Sequence, residues 1–582
     1  MSLNLVRAVD PRTDVNSHYR KTYSVYDGAQ DVGYIRTKPD GGVSSSSLSF
    51  TANPPSPQVF VNRRAMVEME FEIVFQGVSA GAGIPLLQVA GAKSTTGANV
   101  GNQFHDAPRA FPIQNALTNI EISLNNDRIT QNLNQYIRAF PRYQTCAKSQ
   151  DINYGLSPSM LDQAQDYAEL DGFARDPLRG YGDNPLQCPR GGFVGIDVLQ
   201  NTSTGAADTA VVRLKCTEYL MVSPMLFEQD DQDTGFIGIQ TMKLILSLGG
   251  RGNGALAGLA GSLWSHSSAG GSVLNSAVAS VVDAQTIFSY LTPDPTMQIP
   301  KTNFYSYYQP QVFPTTTFSP VNPQASTTIQ MNNIQLDAIP NRLFLFVDEV
   351  DSAHDLTKSD TYFGIENVAI SFDNRDNLLA NATEQDLYNI AVKNGTNLSW
   401  TQWTRDCGAV LALDFAADIP LRTLQAVGMR GSYNLRITIK TKNLSSVAKV
   451  PTLTCVVISE GVMVIDHQQV SRNIGVLDQQ DVLESKYMPE VVYHASGSIY
   501  GGNFWQRVLN FGKKAIGAVK KYARPAIDAA EKIADVAGIP QLSMGVAKAD
   551  QLARQFGLGM QGRALTGGKS LSRAQLQRML KE

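Results

Sequence analysis

Apolar and polar residues alternate with a period of two in four stretches of the chain. In VEMEFEIVF (67–75), five apolar residues fall on one face and three glutamates fall on the other. The same period recurs in NIEISLNND (119–127), MKLILSL (242–248) and YNLRITIKTKN (433–443). Alternation of this kind is typical of a β-strand with one buried face. The pattern therefore predicts a strand at each of these places.

Two further stretches are apolar without alternation. NRLFLFV (341–347) and TLTCVVISEGVMVI (452–465) are predicted to be strands that are buried on both faces. Helical periodicity is rare between the strands, with short helices predicted only near 157–170 and 383–393. Parallel βαβ architecture is therefore disfavoured. The economical prediction is an all-β protein with two antiparallel sandwiches or barrels in tandem.

Breaks in the strand pattern divide the chain. Residues 1–58 are polar and rich in Pro, Gly and Ser, and they predict an extended arm. A Pro-rich stretch at 293–323 marks a boundary, and the Gly/Ser/Ala-rich residues 249–282 predict a long surface loop. The predicted regions are an N-terminal arm over 1–58, a first β-domain with long loops over 59–292, a second over 293–490, and a basic C-terminal tail over 491–582.

Residues 503–525 predict an amphipathic helix in this tail. On a helical wheel the apolar arc includes Phe504, Trp505, Val508, Phe511 and Val519, and the opposite arc contains Arg507, Lys513, Lys514, Lys520 and Lys521. Such a helix either docks its apolar face on the protein's own core or lies at an interface, on anionic lipid or beneath an assembly. The lysine-rich face favours the interface.

Charge is distributed unevenly between the body and the tail. Residues 501–582 carry a net charge of +9, whereas the rest of the chain carries −12. A basic tail indicates contact with nucleic acid, anionic lipid or an acidic partner. The chain has no apolar run of about 18 residues and no secretory signal at its start, so neither a membrane-spanning helix nor secretion is predicted.

The residues that could carry chemistry are scattered. Six histidines are spread along the chain, His105-Asp106 and Asp466-His467 are adjacent pairs, and neighbours along a strand point to opposite faces. No zinc-protease motif, nucleophile elbow or phosphate loop is present. The five cysteines lie far apart and are predicted to be reduced, buried thiols: Cys146, Cys188, Cys216, Cys407 and Cys455. We therefore predict a non-enzymatic protein without catalytic residues, metal or cofactor.

Five stretches carry a resemblance to a known family. They are LSFTANPPSPQVFVNR (48–63), RAFPIQNALTNIEISLN (109–125), IQLDAIPNRLFLFV (334–347), SIYGGNFWQRVLNFGKKAIGAVKKY (498–522) and LTGGKSLSRAQLQRMLK (565–581). The last three occur in this order at matching distances from the C-terminus. On these residues the chain resembles the major capsid proteins of virophages and polinton-like viruses.

The resemblance implies a double jelly-roll fold, with two eight-stranded barrels standing side by side. It further implies a homotrimer that acts as a pseudo-hexameric capsomer in an icosahedral virion shell. Neighbouring capsomers and a minor (penton) capsid protein would be its partners. The protein would be located in the virion capsid and assembled in the host cell, in a cytoplasmic virus factory.

The resemblance also extends to LTGG at 565–568. This sequence is similar to the Leu-x-Gly-Gly site that adenovirus-type cysteine proteases cut during maturation. Cleavage after Gly568 would involve Leu565, Gly567, Gly568 and Lys569, and it would release residues 569–582. A tail that faces the particle interior would place its positive charge beside packaged DNA or an internal membrane.

Two other functions are compatible with the residues alone. The first is a membrane-active β-protein that presents a lytic amphipathic helix, as some toxins do. The second is a jelly-roll lectin or enzyme, which would need a cluster of acidic or aromatic residues at one barrel end. The assembly state separates these readings, because hollow particles or stable trimers favour a shell, whereas monomers that convert to membrane rings favour a toxin.

Overall fold

The computed structural model contains two β-barrels that follow one another along the chain, within a compact unit spanning Met1–Tyr487. A second unit spans Met488–Glu582 and lies outside the described residues. The structure describes residues 29–89, 105–109, 112–132, 139–140, 143, 193–220, 222–225, 235–295, 302–317, 319–360, 362–396, 398–406, 408–466, 469–475, 477 and 482.

The first barrel consists of two facing sheets. The larger has the order β1 (Ala29–Thr37), β12 (Val273–Pro293), β4 (Met66–Val78), β9 (Asp208–Tyr219) and β8 (Phe193–Asn201), with β3 (Phe60–Val61) beside β12. The second has the order β2 (Ser47–Thr51), β10 (Met242–Leu248), β6 (Leu117–Leu124) and β7 (Asp127–Asn132). A small separate pair joins β5 (Asp106–Pro108) to β11 (Trp264–His266), and two short helices are α1 (Pro112–Ala116) and α2 (Gly258–Leu263).

The second barrel repeats this arrangement. One of its two five-stranded sheets has the order β13 (Thr302–Thr316), β21 (Pro451–Asp466), β16 (Arg342–Glu349) and β19 (Val410–Asp414), with β22 (Gln469–Ile474) beside β21. Its facing sheet has the order β14 (Ser326–Gln330), β20 (Arg430–Lys442), β17 (Gly364–Phe372) and β18 (Arg375–Leu378), with β15 (Ile334–Ala338) beside β20. Helix α3 (Glu384–Lys393) follows β18.

Both barrels connect their eight main strands in the same way. One sheet joins the first, eighth, third and sixth strands, and the other joins the second, seventh, fourth and fifth. This shared order makes each strand of one barrel equivalent to a strand of the other. The predicted all-β fold with two tandem eight-stranded jelly rolls is confirmed.

The four strands predicted from period-two alternation are present in the structure. In β4 every second side chain from Val67 to Phe75 is fully buried, and β6, β10 and β20 lie where alternation predicted them. The continuously apolar stretches became β16 and β21, which are buried on both faces. The helix predicted at 383–393 is α3, whose N-cap Thr383 and Asp386 form a reciprocal capping box. The helix predicted at 157–170 lies outside the described residues.

The arm predicted over 1–58 is wrong for residues 29–51, because β1 and β2 are main strands of the first barrel. Among the described strands β1 pairs with β12 alone, which makes it an edge strand, and its outward side chains are exposed. Such a strand needs little apolar alternation, so its sequence looks like a polar arm. Residues 1–28 lie outside the described residues.

The surface loop predicted over 249–282 is also wrong. These residues contain α2, β11 and the first half of β12, the longest strand described. Alanines of β12 lie beside large side chains of the neighbouring strand β4, on the core face of the same sheet, with Ala277 paired to Phe75 and Ala284 paired to Met69. Small residues fill the barrel there because their partners are bulky, which hides the hydrophobic period.

The predicted boundary near 293–323 is partly a strand. β12 ends at Pro293 and β13 begins at Thr302, so the connection between the barrels is short. Pro310 and Pro314 lie inside β13, which is an edge strand because β21 is its one partner in the part of the chain that the structure describes. An edge strand tolerates proline because one row of its N–H groups has no sheet partner to lose. The predicted limits at 490 and 491 lie outside the described residues.

Candidate assembly surfaces and the seam between the barrels

The sheet β13-β21-β16-β19 of the second barrel is buried on both faces along β16, β19 and most of β21. Leu343, Leu345 and Val347 of β16 point into the core of the second barrel. Phe344 and Phe346 point the other way and belong to the apolar cluster of the first barrel. Successive strand residues face opposite sides, so one strand serves two cores. We call the contact made by this outer face the seam.

Aromatic rings of the first barrel close the seam. The centroid of Phe140 lies 4.8 Å from that of Phe344, and Tyr143 meets the same ring edge-on at 5.4 Å. The Tyr143 hydroxyl donates to the Val410 carbonyl oxygen (2.5 Å) and accepts from the Ala412 N–H (2.9 Å). It thereby satisfies backbone groups along the edge of β19, where none of the described strands pairs.

Buried arginines of the first barrel bind a loop of the second, between β16 and β17. The Arg109 guanidinium donates to Asp360 (2.8 Å) and to the carbonyl oxygens of Asp355 and Lys358 (both 2.8 Å). Arg251 pairs with Asp351, and its nitrogens lie 3.4 Å from Asp348 and from Asp360. Because Arg109 is fully buried, these charge-assisted bonds compensate its desolvation.

A neutral histidine completes this cluster. His354 Nε2 lies 3.0 Å from Asp360, and its side chain is almost completely buried. Burial, together with the positive charge of Arg251 and Arg109, holds the pKa of His354 well below its ordinary value, although Asp360 acts in the opposite direction. The imidazole is therefore uncharged near neutral pH.

This histidine predicts a loss of stability in acid. The unfolded chain binds a proton on His354 below about pH 6.5, whereas the fold resists it, so the free energy of unfolding falls by up to about 1.4 kcal/mol per pH unit below that value. His354→Gln should show a shallower fall between about pH 7.5 and 5.5, measured by urea unfolding.

Glu218 acts in the opposite sense. Burial raises its pKa to about 8, although it accepts bonds from the backbone N–H groups of Ile113 and Gln114 at the start of α1. Its stabilising contribution is lost as pH rises towards that value. Because Glu218 is present in both proteins, only the difference between wild type and His354→Gln reports on His354. Equal pH slopes for the two proteins would contradict the assignment.

A second histidine–aspartate pair, His266 with Asp106, lies beside the seam. His266 Nδ1 is 2.8 Å from Asp106, which also accepts bonds from the Trp264 indole N–H (3.3 Å) and the Gln88 backbone N–H (2.8 Å). The His266 backbone N–H donates to the Leu356 carbonyl oxygen of the second barrel. Asp106 and His266 are buried side by side in the strand pair β5–β11. The backbone hydrogen bond from His266 to Leu356 joins this strand pair to the second barrel.

The far part of the seam uses Arg472 of β22. Its guanidinium binds Asp127 of the first barrel (2.5 and 3.1 Å) and donates to the Tyr307 hydroxyl at 3.0 Å. The Val470 N–H donates to the Asn126 side chain at 3.0 Å. Ion pairs and apolar rings therefore join the barrels at several separate points, which opposes hinge motion between them.

The two described cysteines agree with the sequence prediction. Cys216 and Cys455 are free and buried, and burial raises the pKa of both thiols. Cys146, Cys188 and Cys407 lie outside the described residues. Among the residues that the structure describes, no group of three or more His, Cys, Asp and Glu side chains is placed to hold a metal ion. In the same part of the chain, no helix has the length and apolar character needed to cross a membrane.

The larger sheet of the first barrel has an outer face that the described residues of the chain leave accessible. Val278 of β12, Val74 of β4 and Val211 of β9 form a row across this face, with Val278 66% exposed. Tyr34 of β1 lies on the same face and is 69% exposed. Ion pairs between glutamates of β4 and basic residues of β9 flank the row: Glu68–Lys215, Glu70–Arg213 and Glu72–Arg213.

Every residue of the predicted tail helix and cleavage site lies outside the described residues. The seam residues, in contrast, escaped sequence reasoning. Asp106 is adjacent to His105 in sequence, but its histidine partner is His266, and Arg109 meets Asp360 across 251 positions. An isolated charged residue within an apolar stretch was the only available sign of such a contact.

Two family models match this chain. Residues 6–291 match the first domain of the Sputnik virophage major capsid protein. Residues 312–406 and 403–461 match the C-terminal domain of the major capsid protein V20. These ranges correspond to the two barrels, and they contain three of the five stretches that carry the resemblance, 48–63, 109–125 and 334–347.

Similar proteins and solved structures agree with this assignment. The putative capsid protein V20 of Sputnik virophage is 27% identical over 620 residues, which cover 100% of this chain and 99% of the relative. A chain in the cryo-EM structure of the Sputnik virophage has a TM-score of 0.72 at 27% identity, covering 86% of this chain and 99% of that one. The mavirus major capsid protein, at 12% identity and a TM-score of 0.64, covers 84% of this chain and 99% of its own and shares the fold.

Proposed function

Because the chain belongs to the family of virophage major capsid proteins, we propose that three copies form a pseudo-hexameric capsomer from six barrels. Many capsomers then tile an icosahedral shell. The observation that supports this most strongly is the pair of barrels with the same strand order, fixed side by side by the seam. Two equivalent barrels per chain give a trimer the outline of a hexamer. The protein is structural and is not an enzyme.

The mass of the purified protein tests this function. We expect a species of three chains in light scattering and, under assembly conditions, hollow particles in electron microscopy. A protein that stays monomeric and forms rings only on liposomes would instead support the membrane-active alternative. Sugar binding or hydrolysis by the monomer would support the lectin or enzyme alternative.

The capsid location suggests further partners. Within a closed shell, each capsomer contacts neighbouring capsomers, and the fivefold positions require a different, minor (penton) capsid protein. We place assembly in the host cell, in a cytoplasmic virus factory. Immunogold labelling of infected cells tests the location, and labelling confined to the nucleus would refute it. Purified particles that lack any second capsid protein would refute the penton partner.

We propose that a viral cysteine protease cuts the chain after Gly568 during maturation. Its support is the LTGG sequence at 565–568, which resembles the sites of adenovirus-type proteases. Intact-mass measurement of purified particles should then give a chain that ends at Gly568, without residues 569–582. In Gly568→Val particles the chain should extend to Glu582, whereas Ser570→Val should leave the cut unchanged. A wild-type chain that ends at Glu582 excludes the cut.

We further propose that the basic tail contacts packaged DNA or an internal membrane. The net charge of +9 over residues 501–582 supports either anionic surface. Two cross-linking experiments on intact particles distinguish DNA from membrane as the contact of the tail. Ultraviolet light cross-links protein to packaged DNA, and photoactivatable lipids cross-link protein to the membrane. Peptides that contain Lys513, Lys514, Lys520 or Lys521 should carry the adduct. Adducts found only on the barrels would refute an interior contact by the tail.

A further inference from the structure

The two barrels differ in how their equivalent faces are covered. In the second barrel, the outer face of the sheet β13-β21-β16-β19 is buried beneath the first barrel at the seam. The equivalent sheet of the first barrel is β1-β12-β4-β9, and its outer face carries the exposed Val278 and Tyr34. One copy of the chain thus covers one of its two equivalent faces.

The segment of the first barrel that covers this face at the seam also has an equivalent segment in the second barrel. In the first barrel, Phe140 and Tyr143, which pack on Phe344, come from the connection between the fifth and sixth main strands, β7 and β9. The same connection in the second barrel runs from β18 to β19 and contains α3.

This second connection presents apolar side chains to solvent. Val392 of α3 is 48% exposed and Trp400 is 39% exposed, and within the described part of the second barrel they are the exposed large apolar residues. The Trp400 ring packs edge-on against Tyr388 at 5.2 Å, and Tyr388 donates to the Leu398 carbonyl oxygen. The tryptophan is therefore held rigidly, as an anchor residue at an interface usually is.

We propose that the α3 connection of one copy, through Val392 and Trp400, covers the Val278–Tyr34 face of the next copy and so closes the trimer. This inference rests on the proposed capsomer and names the two surfaces that build it. The contact between copies repeats the arrangement of the seam within a copy. Because the two surfaces differ, the contact is head-to-tail, and such contacts generate closed rings when the rotation between copies divides a full turn.

The chemistry of the two faces fits this division. The seam forms during folding of one chain and is dominated by aromatic and aliphatic side chains, such as Phe344 and Phe346. A face that meets another copy must stay soluble until assembly. Its valine row is accordingly flanked by the ion pairs of Arg213 and Lys215 with glutamates, which matches an apolar centre with a polar rim.

Two lysine substitutions in the full chain test the pairing. Val278→Lys and Val392→Lys should each convert the trimer to a monomer in light scattering, and each monomer should keep the β-sheet content of wild type in circular dichroism because both positions are exposed. Tyr34→Lys offers a second, independent position on the same face. The matched control is Ile84→Lys, an exposed apolar residue in the turn after β4, which should remain trimeric.

Mixing the two monomeric variants gives the decisive result. The intact α3 connection of Val278→Lys should bind the intact face of Val392→Lys. The face and the α3 connection that remain in this pair both carry a lysine substitution, so we expect a species of two chains and no trimer. A mixture that stays monomeric, or single variants that remain folded trimers, would overturn the pairing. A wild-type protein that is not trimeric would instead refute the capsomer itself.

Discussion

Replacing Phe344 by alanine is expected to lower the free energy of unfolding by about 3–5 kcal/mol. The ring is fully buried and contacts Phe140 and Tyr143 of the other barrel. Its removal leaves a cavity at the seam, because two rigid barrels have little freedom to collapse into the space. Urea unfolding followed by tryptophan fluorescence measures the loss.

Phe372→Ala separates loss of the seam from general damage to the core. The Phe372 ring packs on Phe415 (5.0 Å) and Tyr433 (5.9 Å), all within the second barrel. We expect a similar loss of stability from both substitutions. Only Phe344→Ala should accelerate hydrogen exchange at the Ala412 N–H, which donates to Tyr143 across the seam. Unchanged exchange there would show that the ring does not hold the barrels together.

Replacing Arg109 by methionine should cost about 3–5 kcal/mol in the free energy of unfolding. The substitution retains much of the side-chain volume but leaves the Asp360 carboxylate without one of its positive partners and removes the guanidinium donor from the carbonyl oxygens of Trp264, Asp355 and Lys358. A buried charge left without such a partner is far more costly than the loss of a surface pair. Thermal and urea unfolding of the full chain measure the change.

Lys38→Met provides the matched comparison. Lys38 lies 3.2 Å from Asp283, but its side chain is 72% exposed. Removal of such a pair should change stability by about 1 kcal/mol at most. If Arg109→Met also cost less than about 1 kcal/mol, the buried cluster would make no net contribution to the free energy of unfolding, because the desolvation penalty would cancel the gain from the ion pairs.

The seam determines how a two-barrel chain acts as one tile. A shell subunit contacts several neighbours at once. Relative motion of its two barrels would therefore change the geometry of every contact between capsomers. Interfaces between domains of a chain permit motion unless they are extensive and apolar. Here rings, buried arginines and the Arg472–Asp127 pair hold the contact at separate points. Acid protonation of His354 would weaken it at one of them.

Alternation of side chains was enough to predict the fold class and most long strands. It succeeded for β4 and β20, whose inward residues are large and whose outward residues are polar. It failed for β12, where Ala277 and Ala284 complete the core opposite bulky partners, and for β1, whose edge position exposes it. The resemblance supplied the pairing of two jelly rolls and the capsid function, which periodicity alone left open.

The sequence by itself determined most of the long strands, their division into two blocks and the basic character of the tail, because these properties depend on neighbouring residues. Only the tertiary structure decided that Arg109 meets Asp360, that His266 rather than His105 binds Asp106, and that the outer face of β16 is covered while that of β4 is open. Such contacts join residues more than a hundred positions apart. Their geometry follows from the packing of whole sheets, which no local pattern records.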